Sequence, residues 1–170
     1  MATSTKKSIR GTRTEKNLVA AYMSESSAYT RYTFYSQQAT KENYFPIAKV
    51  FDETAANELH HGKVFFKFLE GGQVPVTLEV DAGIIGDTAS NLQTAANEEM
   101  TEGVEQYTEA AKVADEEGFP EIAEHFRSIA EIENHHRMRF LHYLEQVKNG
   151  TVWKRDKPIQ WQCLVCGYIY

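Results

Sequence analysis

ELHH at Glu58–His61 and ENHH at Glu133–His136 are two copies of one Glu-x-x-His pattern, and each follows a lone upstream glutamate. Glu25 lies 33 residues before Glu58, and Glu99 lies 34 before Glu133. Residues three apart share a helical face, so each Glu-x-x-His can offer one oxygen and one nitrogen to a common centre. The same acid and the same motif, recurring in the same order, describe a metal site written twice.

The sequence around these motifs is helical in period. Thr12 and Glu15 suit a capping box, and Leu18, Tyr22, Glu25, Tyr29, Tyr32 and Ser36 then step along one face of a first helix, over about residues 14–40. Pro46 opens a second helix with the stripe Ile47, Phe51, Thr54, Glu58, His61, Phe65 and Phe68, and Gly71-Gly72 stops it. Residues 73–87 carry a proline, β-branched residues and glycines without helical period, and are expected to form a long extended link. A third helix, over about 88–116, shows Leu92, Ala95, Glu99, Glu102, Gln106, Ala110 and Val113. A fourth runs to about Lys148 through Ile122, Phe126, Ile129, Glu133, His136, Phe140, Tyr143 and Val147. Four long helices, with two short turns and one long crossover, predict an all-α, ferritin-like four-helix bundle over residues 1–150. Residues 151–170, with Pro158, β-forming residues and Cys163-x-x-Cys166, begin a different small module.

Glu25, Glu58, Glu99, Glu102 and Glu133 all fall in phase with the apolar stripes, so all five are expected to point inward. A buried unpaired carboxylate costs several kcal/mol, and five together require cations. No lysine or arginine lies on these stripes, which leaves bound metal as the neutraliser, and the carboxylate charge suits two ions better than one. Carboxylates with imidazole suit iron or manganese, with zinc as a competitor for the same ligands. Glu98 is the alternative to Glu99, and Leu92 and Ala95 set a phase that favours Glu99. The same phase makes His60 and His135 flanking residues, although a turn of helix rotation would exchange the roles.

The 170-residue chain carries a formal net charge of -6, which argues against nucleic acid as a partner. Its one basic-biased stretch, Lys6, Lys7, Arg10 and Arg13, reads as a solvated arm. No apolar run approaches the length that spans a bilayer and the start has no secretory pattern, so no membrane association and a cytoplasmic location are expected. A C-x-x-C pair in a reducing compartment points to metal or redox chemistry before a structural disulfide.

These ligands, together with EKNLVAAYMSESSAYTRY at 15–32, KFLEGG at 67–72 and CLVCGYIY at 163–170, resemble the rubrerythrins over essentially the whole chain. Ferritins, bacterioferritins and the oxygen-activating di-iron enzymes share the four-helix site, but the additional glutamate in E-x-x-E at 99–102 resembles the rubrerythrin variant. The resemblance implies a di-iron peroxidase that reduces hydrogen peroxide to water in oxidative-stress defence, each ferrous ion giving one electron. It implies Glu25, Glu58, Glu99, Glu102, Glu133 and His136 as iron ligands, with His61 replacing Glu102 when the iron is reduced. Glu102 and His61 are then the residues that carry the reaction. Tyr32 and Tyr107 match tyrosines that hydrogen-bond ligand carboxylates.

The family's electron source is a rubredoxin-like centre of four cysteine thiolates, of which Cys163 and Cys166 match the first pair. The sequence stops at Tyr170 without the second, so a truncated chain is expected, with a rubredoxin-type iron only if the missing pair is supplied. Rubredoxin or an NAD(P)H-dependent reductase is the expected electron donor, and a homodimer or higher homo-oligomer the expected assembly. The alternative function is a ferritin-like iron-storage or iron-buffering protein.

Overall fold

A computed structural model describes residues 7–79, 83–163 and 165–170. Its elements are α1 (Arg13–Lys41), α2 (Phe45–Phe68), α3 (Thr88–Glu98), a π-helix (Glu99–Glu105), α4 (Gln106–Glu116) and α5 (Pro120–Lys148). α1 packs against α2 as one antiparallel hairpin, and the α3–π–α4 rod packs against α5 as another. The bundle is all-α. Among the described residues the one β feature outside the helices is an isolated bridge, Gln162 to Ile169.

Local chemistry accounts for the helix ends. Thr12 caps α1 by accepting the Glu15 amide at 3.0 Å, while the Glu15 carboxylate accepts from the Gly11 amide, one residue before the position an ideal capping box uses. Asp87 caps α3 through the Ser90 amide at 2.7 Å. The two hairpin turns have one design. Asn43 and Gly118 both take positive φ, and the amides of Tyr44 and Phe119 donate back to Ala39 and Ala114, each at 2.8 Å. α2 ends at Phe68, before Gly71-Gly72.

Two apolar clusters hold the bundle. One gathers Leu18, Phe65, Tyr107, Phe119, Ile122 and Phe126; the other gathers Tyr32, Tyr35, Phe51, Leu92, Phe140 and Leu144. Phe51, Phe65, Phe126 and Phe140 are fully enclosed, and each contributes about 2 kcal/mol of burial. The ligand-bearing positions of all four rods fall between these two clusters.

The third rod departs from its expected stripe. After Glu99 the buried positions are Gly103, Tyr107, Ala110, Ala111 and Ala114, while Gln106 is exposed and Val113 half-buried. The π-helix causes this shift, because its additional residue per turn moves every later side chain by about 100°. In α1, Tyr29 is exposed, and α5 buries Leu144 in place of Tyr143.

The basic arm is also tied down. Lys7 donates to the Glu117 carbonyl, Arg10 to the Glu70 carbonyl, and Arg13 to the carboxylates of Glu116 and Glu117. Lys6 and residues 80–82 of the crossover lie outside the described residues.

Candidate metal centre

Four helical rods bring four carboxylates and two imidazoles into one buried layer. Glu25 comes from α1, Glu58 and His61 from α2, Glu99 from the first π-helical position, and Glu133 and His136 from α5. None is more than 7% exposed. Ligand atoms of Glu25, Glu58, His61 and Glu133 all lie within 4.8 Å of one another, and so do those of Glu58, Glu99, Glu133 and His136. Glu58 and Glu133 belong to both groups. The geometry is therefore two adjoining four-ligand sites that share two carboxylates.

The imidazoles face this shared space through Nδ1. His61 Nδ1 lies 3.0 Å from Glu58 Oε2 and 2.7 Å from Glu133 Oε1, and His136 Nδ1 lies 2.8 Å from Glu133 Oε2 and 3.2 Å from Glu58 Oε1. Glu58 Oε1 and Glu133 Oε1 are nevertheless buried without an aligned donor, since short distance alone does not make a hydrogen bond. Buried carboxylate oxygens in that state are costly, and a cation held between them and the imidazoles relieves the cost. The donor set, carboxylate oxygens with imidazole nitrogens, fits two iron ions.

Without metal the layer balances its charge with protons. Burial, reinforced by repulsion from Glu133 and Glu58, pushes Glu25 and Glu99 well above the usual carboxylate range. Burial also acts on Glu133, but the hydrogen bond from His136 and the close His61 ring overcome it and hold Glu133 at about 2. Burial disfavours charge on His61 and His136, yet the nearby carboxylates of Glu133 and Glu58 push them up to about 10 and about 9.

A further ring of side chains orients the ligands. Tyr32 Oη donates to Glu99 Oε1 at 2.8 Å, and Tyr107 Oη donates to Glu25 Oε1 at 2.7 Å, so each hairpin's tyrosine holds the other hairpin's glutamate. Burial and the adjacent carboxylates raise both phenols well above their ordinary range and keep them protonated as donors. The Asn57 amide lies 3.1 Å from His136 Nε2, the ring nitrogen facing away from the carboxylates. Nε2 carries a proton both in the imidazolium and when Nδ1 is a metal ligand, so in either case it donates to the amide oxygen of Asn57, which can turn to receive it. Gly103 allows the close approach of α5: a Cβ there would stand 2.6 Å from Glu133 Cβ and Cγ.

Glu102 does not join the layer. Its side chain is 28% exposed and its Oε2 accepts from Ser24 Oγ at 2.9 Å, with Arg31 Nη2 at 3.9 Å. Four of the five expected acids converge, and the π-helix turns the fifth aside. Glu98, the alternative to Glu99, is buried but pairs with Arg31 Nε at 2.8 Å. The stripes carry no lysine or arginine, as expected, and Arg31 reaches Glu98 and Glu102 from a position beside the α1 stripe. His60 and His135 are exposed flanking residues.

Cys163 and Cys166 are exposed and free, far from this chemistry in character. They sit on a hairpin closed by Trp161 and Tyr170, in which Gly167 takes φ 75° and donates to the Cys163 carbonyl at 2.9 Å. Backbone amides of Cys166 and Val165 lower the Cys163 thiol from its usual range, as suits a metal-binding knuckle. Asn57, Gly103, Ser24 and Arg31 were not singled out by the sequence. The one signal of the π-helix was spacing: Tyr32 follows Glu25 by seven residues, Tyr107 follows Glu99 by eight.

The profile of the rubrerythrin family matches residues 16–144. A rubrerythrin of Porphyromonas gingivalis is 50% identical over 163 residues, which span 96% of this chain and 82% of that protein. A rubrerythrin of Nitratidesulfovibrio vulgaris is 43% identical over 164 residues, spanning 96% of this chain and 86% of that one. Among solved structures, nigerythrin in its fully reduced, all-ferrous state superposes with a TM-score of 0.71 at 29% identity, covering 100% of this chain and 81% of its own.

Proposed function

Because the chain belongs to the rubrerythrin family of oxidoreductases, we propose that its paired centre holds two iron ions and reduces hydrogen peroxide to water in defence against oxidative stress. The observation that carries this reading is the pair of four-ligand groups sharing Glu58 and Glu133. Glu25 and His61 complete one site, and Glu99 and His136 the other. Iron bound there supplies the chemistry: two ferrous ions give one electron each, and with two protons one peroxide becomes two waters.

The residues around the pair do the rest. Tyr32 and Tyr107 hold the terminal carboxylates in place, and the enclosing apolar clusters exclude bulk water. A cavity of about 20 Å³, lined by Glu25, Glu99, Glu133, Glu102, Ser24 and Arg31, adjoins the shared carboxylates and has room for a water-sized group. Glu102 also borders an outer groove of about 370 Å³, so its carboxylate stands between solvent and the cavity and can carry protons inward. With iron bound, Glu102 would be available to the oxidised centre and His61 to the reduced one, and Ser24 would hold the Glu102 carboxylate when it is not a ligand.

Re-reduction draws on rubredoxin or an NAD(P)H-dependent reductase, with Cys163 and Cys166 contributing to a rubredoxin-type iron where a second cysteine pair is present. The working assembly is a homodimer or larger, in the cytoplasm. Among the described residues no helix is long and apolar enough to cross a membrane.

Anaerobic reduction of the iron-loaded protein, followed by titration with peroxide, tests the reading. Rapid growth of ferric charge-transfer absorption at one peroxide per iron pair is expected. Faster oxidation by dioxygen than by peroxide would overturn it, and a hollow assembly holding many irons per chain would establish the storage alternative.

A further inference from the structure

Resting on that reading of the centre, we infer that Arg31, anchored by Glu98, is the positioning residue that holds Glu102 out of the metal layer and so sets how readily Glu102 becomes a ligand. Arg31 has only 11% of its side chain exposed, and it lies between two carboxylates on the neighbouring rod. Its Nε meets Glu98 Oε2 at 2.8 Å and its Nη2 faces Glu102 Oε2 at 3.9 Å, the oxygen that also accepts from Ser24. Arg31, Ser24 and Glu102 line both the small inner cavity and the outer groove. The inner cavity is also lined by Glu25, Glu99 and Glu133, so it is the space the Glu102 carboxylate enters when it moves inward.

The charge arrangement makes the hold adjustable. Glu98 takes up most of the attraction of Arg31, so Glu102 is retained by a longer contact and one hydroxyl. A tight bidentate pair would trap Glu102, and an uncharged neighbour would release it to the cations. Removing Glu98 alone therefore turns Arg31 fully on Glu102 and strengthens the hold. Removing both charges abolishes it. Opposite outcomes from one ion pair distinguish a latch from a prop.

Cobalt(II) bound in place of iron reports coordination through its visible d–d absorption, which weakens as ligands are added and needs no turnover. Wild type, Glu98→Gln, Arg31→Gln/Glu98→Gln, and the latter with Glu102→Gln are each loaded with two cobalt ions per chain. The double variant leaves no orphaned buried charge; Arg31→Met/Glu98→Met is a second form with the same expected result. The absorption per cobalt is expected to fall by about half in the double variant, as Glu102 joins, and to recover when Glu102→Gln is added, while Glu98→Gln alone matches or exceeds wild type. Double variants indistinguishable from wild type, or a loss that persists with Glu102→Gln, would overturn the latch while leaving the metal centre standing. Failure of wild type to bind two cobalt ions would overturn the centre, and the latch with it.

Discussion

The two hairpins repeat their key positions at almost constant spacing. Tyr32 and Tyr107, Ala39 and Ala114, Tyr44 and Phe119, Glu58 and Glu133, and His61 and His136 are all 75 residues apart, but Glu25 and Glu99 are 74 apart. The turns and the approach to each Glu-x-x-His match in length, so the additional residue falls between Glu99 and Tyr107, where the π-helix lies. That one residue makes the halves unequal. In α1 the turn after Glu25 carries no further acid near the centre, whereas in the third rod it presents Glu102 toward Ser24 and Arg31. A repeated site becomes an asymmetric one through a single insertion that leaves both apolar clusters in register.

The largest effects come from what the halves share. Glu58→Ala or Glu133→Ala should reduce bound iron from about two per chain to fewer than about one after desalting, by elemental analysis, because each removal strips a ligand from both sites. Retention of two ions would show that the halves do not share carboxylates.

Removing what differs should separate the halves. His136 is locked by Asn57 and almost fully buried, so His136→Ala should about halve the metal content. His61→Ala should leave the oxidised centre assembled and slow its reaction with peroxide by about tenfold or more in stopped flow. Equal behaviour of the two variants would erase the proposed asymmetry.

Protons offer a graded comparison. The folded, metal-free protein keeps His61 and His136 protonated to about 10 and about 9, so metal entering near neutral pH must displace those protons. Apparent cobalt affinity should therefore rise with pH, by about tenfold per unit for each proton released, and each histidine-to-alanine change should remove about one proton from that slope. A flat profile in an affinity titration would contradict the protonated layer.

The smallest effect concerns packing. Gly103→Ala places a methyl group 2.6 Å from Glu133 and should destabilise the metal-free protein by about 1–3 kcal/mol in denaturant unfolding. Gly62→Ala meets Glu25 Cβ at 3.3 Å and gains helix propensity, so its change should stay within about 1 kcal/mol. A reversed order would mean that α5 is not held close by the π-helix.

Much of this was legible in the chain itself. Helical period with glutamates on the apolar stripe defines four rods and a buried acidic layer, because burial of unpaired charge is too costly to occur without a partner. That reasoning pointed Glu25, Glu58, Glu99, Glu102 and Glu133 inward, and the structure gathers all of these but Glu102 beside His61 and His136. Asn57 left no signal, since an amide beside a ligand looks like any polar helix residue. Arg31 was passed over because its position lies off the stripe, and only its length carries the guanidinium to Glu98 and Glu102.

The sequence by itself determined the helices, the repeat and the ligand types, since these follow from local period and from the cost of isolated charge. The tertiary structure alone decided that Glu58 and Glu133 are shared, that Glu102 turns away and that Arg31 receives it. Those depend on the rotation of one rod against three others, and one residue of π-helix changes that rotation by about 100°, which an unbroken helical period does not anticipate.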